Sequence, residues 1–448
     1  MTKGSNMNRR SFLKQTAIVG GVVGAAPMIL PHNAFGANDR IVVGSIGVGK
    51  MGSGQLKKLH KRSGVVIGAV ADVYLPRAQQ RAEMVNADAY QDYRKLLERD
   101  DIDGVVIATP LHWHALNCIH AAQAGKDIYC QKPMTHNVFE GRKVVEAVRK
   151  YDCVFQTGSQ QRSGRNEHIG ITHVRNGALG KISRVIASDY RSPQETRHPK
   201  EKIPEGLDWD MWCGPAIMPP YNFVVWDNSS KPSWSGVRRF SGGDMTDWGS
   251  HGLDIAQWGL GMDDSGPEEV WVEGEPFKPM YSTPQNPGNR RDGPNKPTVY
   301  MKYPGDIIME FTGGSKSGVR FIGEAGSIQV TRGSYKADPG ELIEGPLENP
   351  DERIHRGYEY AVGTDHEQDW LNCIKERRDP IASVEAGHRT AIICHLGNIA
   401  RWVSHVTGET GKKLKWDAKE ERFTNCPIAN SFYLNPPRRK GYELPDSV

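Results

Sequence analysis

From residue 40 onward the chain carries two successive patterns. Residues 40–46, 65–70 and 103–109 are short runs rich in Val, Ile, Gly and Ala, continuous rather than alternating, and 126–133 and 154–157 are short apolar stretches with polar residues at their C-terminal ends. Strands of a parallel sheet covered on both faces read this way. Residues 55–61, 92–100, 111–124 and 140–150 lie between them with helical spacing. Strand and helix in alternation predict a doubly wound parallel α/β sheet over residues 38–160. Beyond 161 the period changes. A helix is expected at 166–176 and a strand at 181–190. Period-2 segments then recur at 269–273, 298–303, 307–311, 318–322 and 327–331, separated by Pro-Gly and Gly-Gly turns. They predict an α+β domain over 161–448 with a large, mostly antiparallel sheet, open on one face. Helices at 366–377 and 385–403 could pack back on that sheet or on the first domain. Six prolines between 276 and 297 mark an irregular surface loop or oligomer arm.

The first strand runs into Gly47-Val-Gly49-Lys50-Met51-Gly52, and a helix follows. Gly47 permits the tight turn, Gly49 lets a pyrophosphate approach the backbone, and Gly52 lets helix and strand pack closely. The helix N-terminus then presents amides and its positive end to the phosphates. The second strand ends at Asp72, twenty residues past Gly52, where an acid for the adenosine ribose hydroxyls belongs. This is a dinucleotide site of Rossmann type, and Asp72 favours NAD over NADP because a 2′-phosphate would meet its charge. Arg77 stands close enough to weaken that preference. Ligands of such sheets sit at the C-terminal ends of the strands, so Thr109, Pro110, His112, Trp113, His114, Gln131 and Lys132 are expected around the coenzyme.

Charge and cysteine narrow the class. The net charge of +4 is matched by Lys3, Arg9, Arg10 and Lys14, which precede the first acid; the remainder is balanced and lacks the concentrated basic face that nucleic acid requires. Seven scattered cysteines form no CxxC or Cys/His cluster, so neither a disulfide framework nor a metal site is expected. Arg9-Arg10-Ser11-Phe12-Leu13-Lys14, a mild apolar run to Leu30 and Ala34-Phe35-Gly36-Ala37 resemble a twin-arginine export signal over residues 1–37. That route implies a partner, the twin-arginine translocase, and a periplasmic enzyme that folds around its cofactor before export.

The second candidate site is Ser241-Gly-Gly-Asp-Met-Thr-Asp247-Trp-Gly-Ser-His251-Gly-Leu-Asp254. On a helix Asp247 and His251 are i and i+4 neighbours; there a carboxylate fixes the tautomer of an imidazole that moves a proton. Seven of the eleven tryptophans lie between Trp209 and Trp271, with Arg191, Arg197, His198, Arg238 and Arg239 nearby. Flat aromatic faces and forked donors suit a sugar ring. Gln160, Tyr190, Arg191, Arg197, His198, Trp234 and Arg238, with Asp247 and His251, are the expected substrate residues.

Taken together, strand–GxGxxG, Asp72, Thr109-Pro110 followed by His112, Cys130-x-Lys132-Pro133 and Gly242-Gly-x-x-x-Asp247-x-x-x-His251 resemble the glucose–fructose oxidoreductase / inositol 2-dehydrogenase / rhizopine-catabolism (Gfo/Idh/MocA) family, in its exported branch. The resemblance covers about residues 40–405. It implies a catalytic group of Lys132, Asp247 and His251, with Asp247 holding His251 while a carbinol hydride passes to nicotinamide. It also implies a sugar, glycoside or cyclitol substrate, NAD as coenzyme and a homo-oligomer, dimer or tetramer; export to a periplasm without a free nicotinamide pool implies that the NAD is tightly bound. Gln131 departs from the family's Glu before the Lys. Two rival expectations are a redox-assisted glycosidase or lyase, with Tyr190 or His198 as extra base, and a non-catalytic exported sugar-binding protein.

Overall fold

The computed structural model describes residues 40–227, 233–285, 296–313, 318–344 and 366–445. The export signal expected at 1–37 and residues 286–295 of the proline-rich stretch lie outside them. The described residues from Ile41 onward form one compact unit. Its first sheet holds β1 (Ile41–Ile46), β2 (Val65–Ala71), β3 (Asp88–Tyr90), β4 (Gly104–Ile107), β5 (Asp127–Cys130) and β6 (Phe155–Thr157), all parallel in the order 3-2-1-4-5-6. Helices α1 (Lys50–His60), α2 (Leu75–Glu83), α3 (Tyr93–Leu97), α4 (His114–Gln123) and α5 (Val138–Lys150) connect the strands. The sequence pattern misses β3 and α2. β3 has only three residues, and α2 buries just Ala78 and Ala82, so its apolar stripe is faint.

Register explains where a ligand can sit. Ile46 pairs with both Ala71 and Ile107, Ile107 pairs with Cys130, and Cys130 with Thr157. Five strands therefore end at one level, and Gly47, Asp72, Ala108, Gln131 and Gly158 leave the sheet side by side.

The second half contributes α6 (Arg165–Arg175), β7 (Ile182–Ala187), the short β8 (Glu195–Thr196), α7 (Gly249–Leu260), β9 (Glu269–Glu273), β10 (Tyr281–Ser282) and β11 (Thr298–Tyr303). It continues with β12 (Ile307–Phe311), β13 (Val319–Gly323), β14 (Gly326–Thr331), β15 (Ser334–Asp338), α8 (His366–Glu376), α9 (Val384–Thr407), β16 (Leu414–Asp417) and β17 (Arg422–Phe423). Nine of these strands form one sheet, β15-β14-β13-β7-β12-β11-β9-β16-β17, antiparallel except at β7–β12. Alternation sorts its faces. Val299, Met301 and Tyr303 point into a core shared with Leu253 and Ile255 of α7 and Ile392, Leu396 and Ile399 of α9. On the opposite face Trp271 stacks on Tyr300 at 5.4 Å.

The chain does not leave the first sheet for good. Trp370, Leu371 and Cys373 of α8 pack with Val43, Val106 and Tyr129, and Tyr442 near the C-terminus sets its ring edge-on to Trp113. Arg162, just past β6, ties the halves together. Its Nε donates to both oxygens of Asp254 at 2.9 Å, and its other nitrogens to Asp263 at 2.8 Å. Asp254 also accepts from Thr390. All seven cysteines are buried free thiols.

Candidate active site

A cleft opens at the common C-terminal edge of the parallel strands. Gly47 has φ +80°, and a Cβ there would stand 2.8 Å from Thr109 N. A Cβ on Gly52 would meet Gly47 O at 2.0 Å, whereas one on Gly49 would meet nothing within 4 Å. The first and last positions are closed by the fold, and the middle one faces open space in front of the α1 N-terminus. That arrangement fits a pyrophosphate.

Asp72 is buried and accepts four donors: Val48 N and Tyr74 N at 3.0 Å, Arg77 Nε at 2.9 Å and Arg77 Nη2 at 2.8 Å. Arg77 in turn lies 5.7 Å from the ring centres of Tyr74 and Trp226. Lys50 and Met51 stand at the cleft mouth, with Thr109, Pro110 and Trp113 farther along the wall. His114 also lines it. Its Nδ1 faces Pro133 O at 2.8 Å and its Nε2 faces Thr109 O at 2.9 Å. Two carbonyl partners require both nitrogens to donate. Burial opposes that charge, but the negative character of the neighbouring Cys130 sulfur and the two carbonyls raise the imidazole pKa above its ordinary value. Gln131 is buried on the same wall, and its Nε2 has no protein partner. An orphaned donor there fits a coenzyme acceptor.

Across the cleft, Lys132 Nζ meets Asp247 Oδ1 at 2.5 Å and Asp247 O at 3.1 Å. The two residues are 115 positions apart, one after β5 and one at the end of the helical turn Asp244–Asp247. Here the structure corrects an expectation. Asp247 does not hold His251. The turn Asp244–Asp247 stops one residue before α7, and the Asp247 carboxylate takes the ammonium, a charge-assisted bond stronger than one to a neutral imidazole. His251 Nε2 instead lies 3.3 Å from Arg332 Nη2. Arginine only donates, so Nε2 accepts and the proton sits on Nδ1, which is buried without a protein partner. Burial, with Lys132 and Arg332 close by, pushes the imidazole pKa well below its ordinary value. His251 is neutral.

Several other expected residues lie elsewhere. His112 does not reach the cleft: it is buried, donates from Nε2 to Trp212 O at 2.9 Å and packs on Phe240. A ring at the first turn of a helix after β4 can face either side, and the aromatic cluster of Trp212 and Phe240 draws it away. Tyr190 is a core residue, 2% exposed, with its ring edge on Phe311. Gln160 Nε2 reaches back to Tyr129 Oη at 3.4 Å and lines an open groove beside Lys58 and Arg62. His198 is bonded to Ser282 Oγ. Arg191 contributes its backbone carbonyl to Met245 N. Arg197 packs over Tyr281 at 4.2 Å and Arg238 over Trp402 at 3.9 Å, both away from the coenzyme cleft. Of the expected substrate set, Trp234 and Asp247 stand on the cleft wall; His251 is not part of that lining, but it is close enough to Lys132 to feel its charge. The expected cluster of tryptophans is split: Trp212, Trp226 and Trp234 line the cleft, while Trp209 stacks on Trp212 at 4.6 Å behind it. Arg332 and Asn117 escaped sequence reasoning. Arg332 sits in a hairpin turn far from any motif; Asn117, one helical turn past His114, accepts from Thr109 Oγ1 at 2.9 Å.

The chain resembles known proteins in the same two parts. Residues 41–159 match the Gfo/Idh/MocA model described as an oxidoreductase family NAD-binding Rossmann fold, and residues 182–280 match that family's C-terminal alpha/beta domain. A myo-inositol 2-dehydrogenase of Thermotoga maritima is 28% identical over 154 residues, covering 34% of this chain and 46% of that protein. A glycosyl hydrolase family 109 protein of Shewanella baltica is 31% identical over 204 residues, 40% of this chain and 44% of that one. The chain thus spans about half the length of these curated relatives or less. Among solved structures, a levoglucosan dehydrogenase in complex with NADH and levoglucosan superposes with TM-score 0.54 at 17% identity, over 81% of this chain and 98% of that one. An aldose-aldose oxidoreductase from Caulobacter crescentus gives 0.55 at 16%, over 84% and 99%. At such identities these two speak for the fold.

Proposed function

From a chain that carries, in order, the NAD-binding Rossmann domain and the C-terminal alpha/beta domain of the Gfo/Idh/MocA oxidoreductases, we propose an NAD-dependent oxidoreductase acting on a secondary hydroxyl of a sugar, glycoside or cyclitol. The carrying observation is the 2.5 Å contact between Lys132 and Asp247 at the open end of the parallel strands. It fixes an ammonium beside the place where Gly47, Gly49 and Asp72 would hold the coenzyme. When bound, NAD supplies the ring that takes or gives the hydride.

The chain's own residues do the rest. Asp247 aims Lys132 so that its remaining N–H bonds can hold the carbinol oxygen. His251, kept neutral by burial and by the cations around it, takes the hydroxyl proton as the hydride leaves carbon, and returns it in the reverse direction. Arg332 donates to His251 Nε2 in the resting protein and releases it when the imidazole turns to substrate. Trp234, which lines the cleft along with Asp247, offers an apolar face for the ring. The coenzyme stays bound through turnover and is recycled by a second sugar or by re-reduction of the same molecule, as suits a protein exported by the twin-arginine route to the periplasm. Dimers or tetramers form through the open sheet face.

The family 109 relatives favour one alternative on the same site. In that reading oxidation at C3 would acidify the C2 proton, its removal would expel the aglycone from C1 and water would add; a bound NAD would supply both the oxidation and the final reduction and end unchanged. The extra base in that cycle is not Tyr190, which is in the core, nor His198, which is held by Ser282. The deciding experiment is absorbance at 340 nm of protein purified without added cofactor, before and after a panel of sugars and aryl glycosides. A lasting 340 nm band with one sugar supports the dehydrogenase. Aglycone release without a lasting band supports the redox-neutral glycosidase. No response to any sugar, with or without NAD, sinks both and restores a binding protein.

A further inference from the structure

Behind the coenzyme cleft, on the other side of Ser241, lies a second cavity of about 300 Å³ that the catalytic reading does not use. Its size is at the lower end for small-molecule pockets. It is assembled from distant parts of the chain, among them His136 and Glu140 at the start of α5, Glu195, Ile217, Arg238 and Arg239, Asn398 of α9, and Arg438 near the C-terminus. Two of its side chains are at least nine-tenths buried with unmet polar atoms. Asn398 is 7% exposed; its Nδ2 donates to Gly242 O, and its Oδ1 has no partner. The Arg438 side chain is 10% exposed; Nη2 holds Glu140, and neither Nε nor Nη1 has a partner. Arg239 adds a third, with Nε unmet and Nη1 on Ile217 O at a long 3.4 Å. Such groups cost stability unless something supplies their bonds.

The donor set defines what that is. Arg239 and Arg438 offer N–H groups and charge; Asn398 Oδ1 asks for an O–H or N–H. The wall carries three arginines against two glutamates, a surplus of one positive charge. His112, His136 and His395 also line it and add none: burial pushes all three imidazole pKa values down, His112 and His395 to about 3. A surplus of one suits a carboxylate better than a doubly charged phosphate. Pro215, Ile217, Ile399 and Pro436 give the remaining wall an apolar surface.

We propose that this cavity binds a small polyhydroxylated carboxylate, a sugar acid, with its carboxylate on Arg239 and Arg438 and a hydroxyl on Asn398. The site is separate from the Lys132–Asp247 cleft and stands whether or not the catalytic reading does. The test is calorimetric titration of the full-length protein with D-glucuronate and D-gluconate, with D-glucose and inorganic phosphate as comparison ligands. At least one acid is expected to bind with a Kd of about 1 mM or tighter, and glucose and phosphate more weakly. Arg239→Gln and Arg438→Gln are each expected to weaken the acid about tenfold, while NAD binding is unchanged. Arg438→Gln leaves the buried Glu140 without its counter-charge and costs folding stability; Arg239→Gln, whose one bond among the described residues is the weak one to Ile217, keeps the test intact. Three results overturn the proposal: no heat from either acid up to about 10 mM; glucose or phosphate binding as tightly as the acids; or acid binding that survives Arg239→Gln but is lost in Lys132→Met, which would put the acid in the cleft.

Discussion

The two walls of the coenzyme cleft are built in opposite ways. One wall is local. Gly47, Asp72, Thr109 and Gln131 each follow directly from a strand end, and the sheet register alone lines them up. The other wall is convergent. Lys132 and Asp247 line it, with His251 and Arg332 next to them outside the lining; the four come from separate elements, and their contacts span 81 to 115 positions. In the local wall backbone geometry places the groups, so a single added methyl is an obstacle. In the convergent wall side-chain bonds place the groups, so what matters is which partner each one chooses. The walls should therefore fail in different ways.

The largest expected effect tests the convergent wall. Lys132→Met removes the ammonium that Asp247 holds, and turnover should fall by a factor of about 10²–10⁴. Retained coenzyme, read as nucleotide released on denaturation, should not change. Loss of coenzyme together with activity would mean that Lys132 belongs to the local wall and that the contrast is misdrawn. Next in size is Arg162→Gln. It leaves the Asp254 carboxylate buried behind α7 without its counter-charge and takes the paired arginine from the half-buried Asp263, and the denaturant midpoint should report a loss of about 3–5 kcal/mol. A loss under about 1 kcal/mol would show that α7 does not need this tether.

A smaller effect is spread over pH. Imidazoles of His112 and His395 have pKa values near 3, and that of His168 near 4, in each case because burial disfavours the charge. Unfolded, each takes up a proton near pH 6.5. Below that pH the unfolded chain binds more protons than the folded one, so stability falls as pH drops, by about 1.4 kcal/mol per unit for each group until its folded value is reached. Above pH 7 these groups contribute no slope. Melting temperature recorded from pH 7.5 to 5 should show the bend, and His395→Asn should flatten it. An unbent curve would mean that these rings are charged in the native state.

The same contrast explains what the sequence could tell. The local wall was legible because glycine spacing, strand ends and Asp72 are contiguous signals with a stereochemical meaning. His112 misled because spacing puts it at the right strand end while the packing of Trp212 and Phe240, about 100 and 128 residues later, decides which way it faces. The Asp247–His251 pairing misled for a like reason: helical spacing makes them neighbours, but Lys132 is a better partner and only tertiary structure brings it there. Arg332 had no local signal at all. The arginines grouped with the tryptophans were adjacent in sequence, yet Arg197 and Arg238 went to a different cavity.

The smallest effect concerns the one place where the local wall also depends on a side-chain choice. Arg77 occupies both oxygens of Asp72, which already accept two backbone amides. A ribose diol would need room on that carboxylate, so Arg77 would have to move aside for the coenzyme, and its charge would then be available to a 2′-phosphate. Asp72 repels that phosphate and Arg77 offsets the repulsion, which makes discrimination against NADP weaker than Asp72 alone would give. Arg77→Gln removes the offset and leaves Asp72 freer for the diol. The ratio of NADP to NAD dissociation constants should rise by about tenfold, or about 1.4 kcal/mol. This is less than a fully buried charge-assisted bond would give, because the arginine side chain is 26% exposed. Competitive titration of apo protein with the two coenzymes measures it. An unchanged ratio would mean that Arg77 stays on Asp72 when coenzyme binds and that the local wall is backbone-set throughout; a falling ratio would mean that Asp72 does not face the ribose.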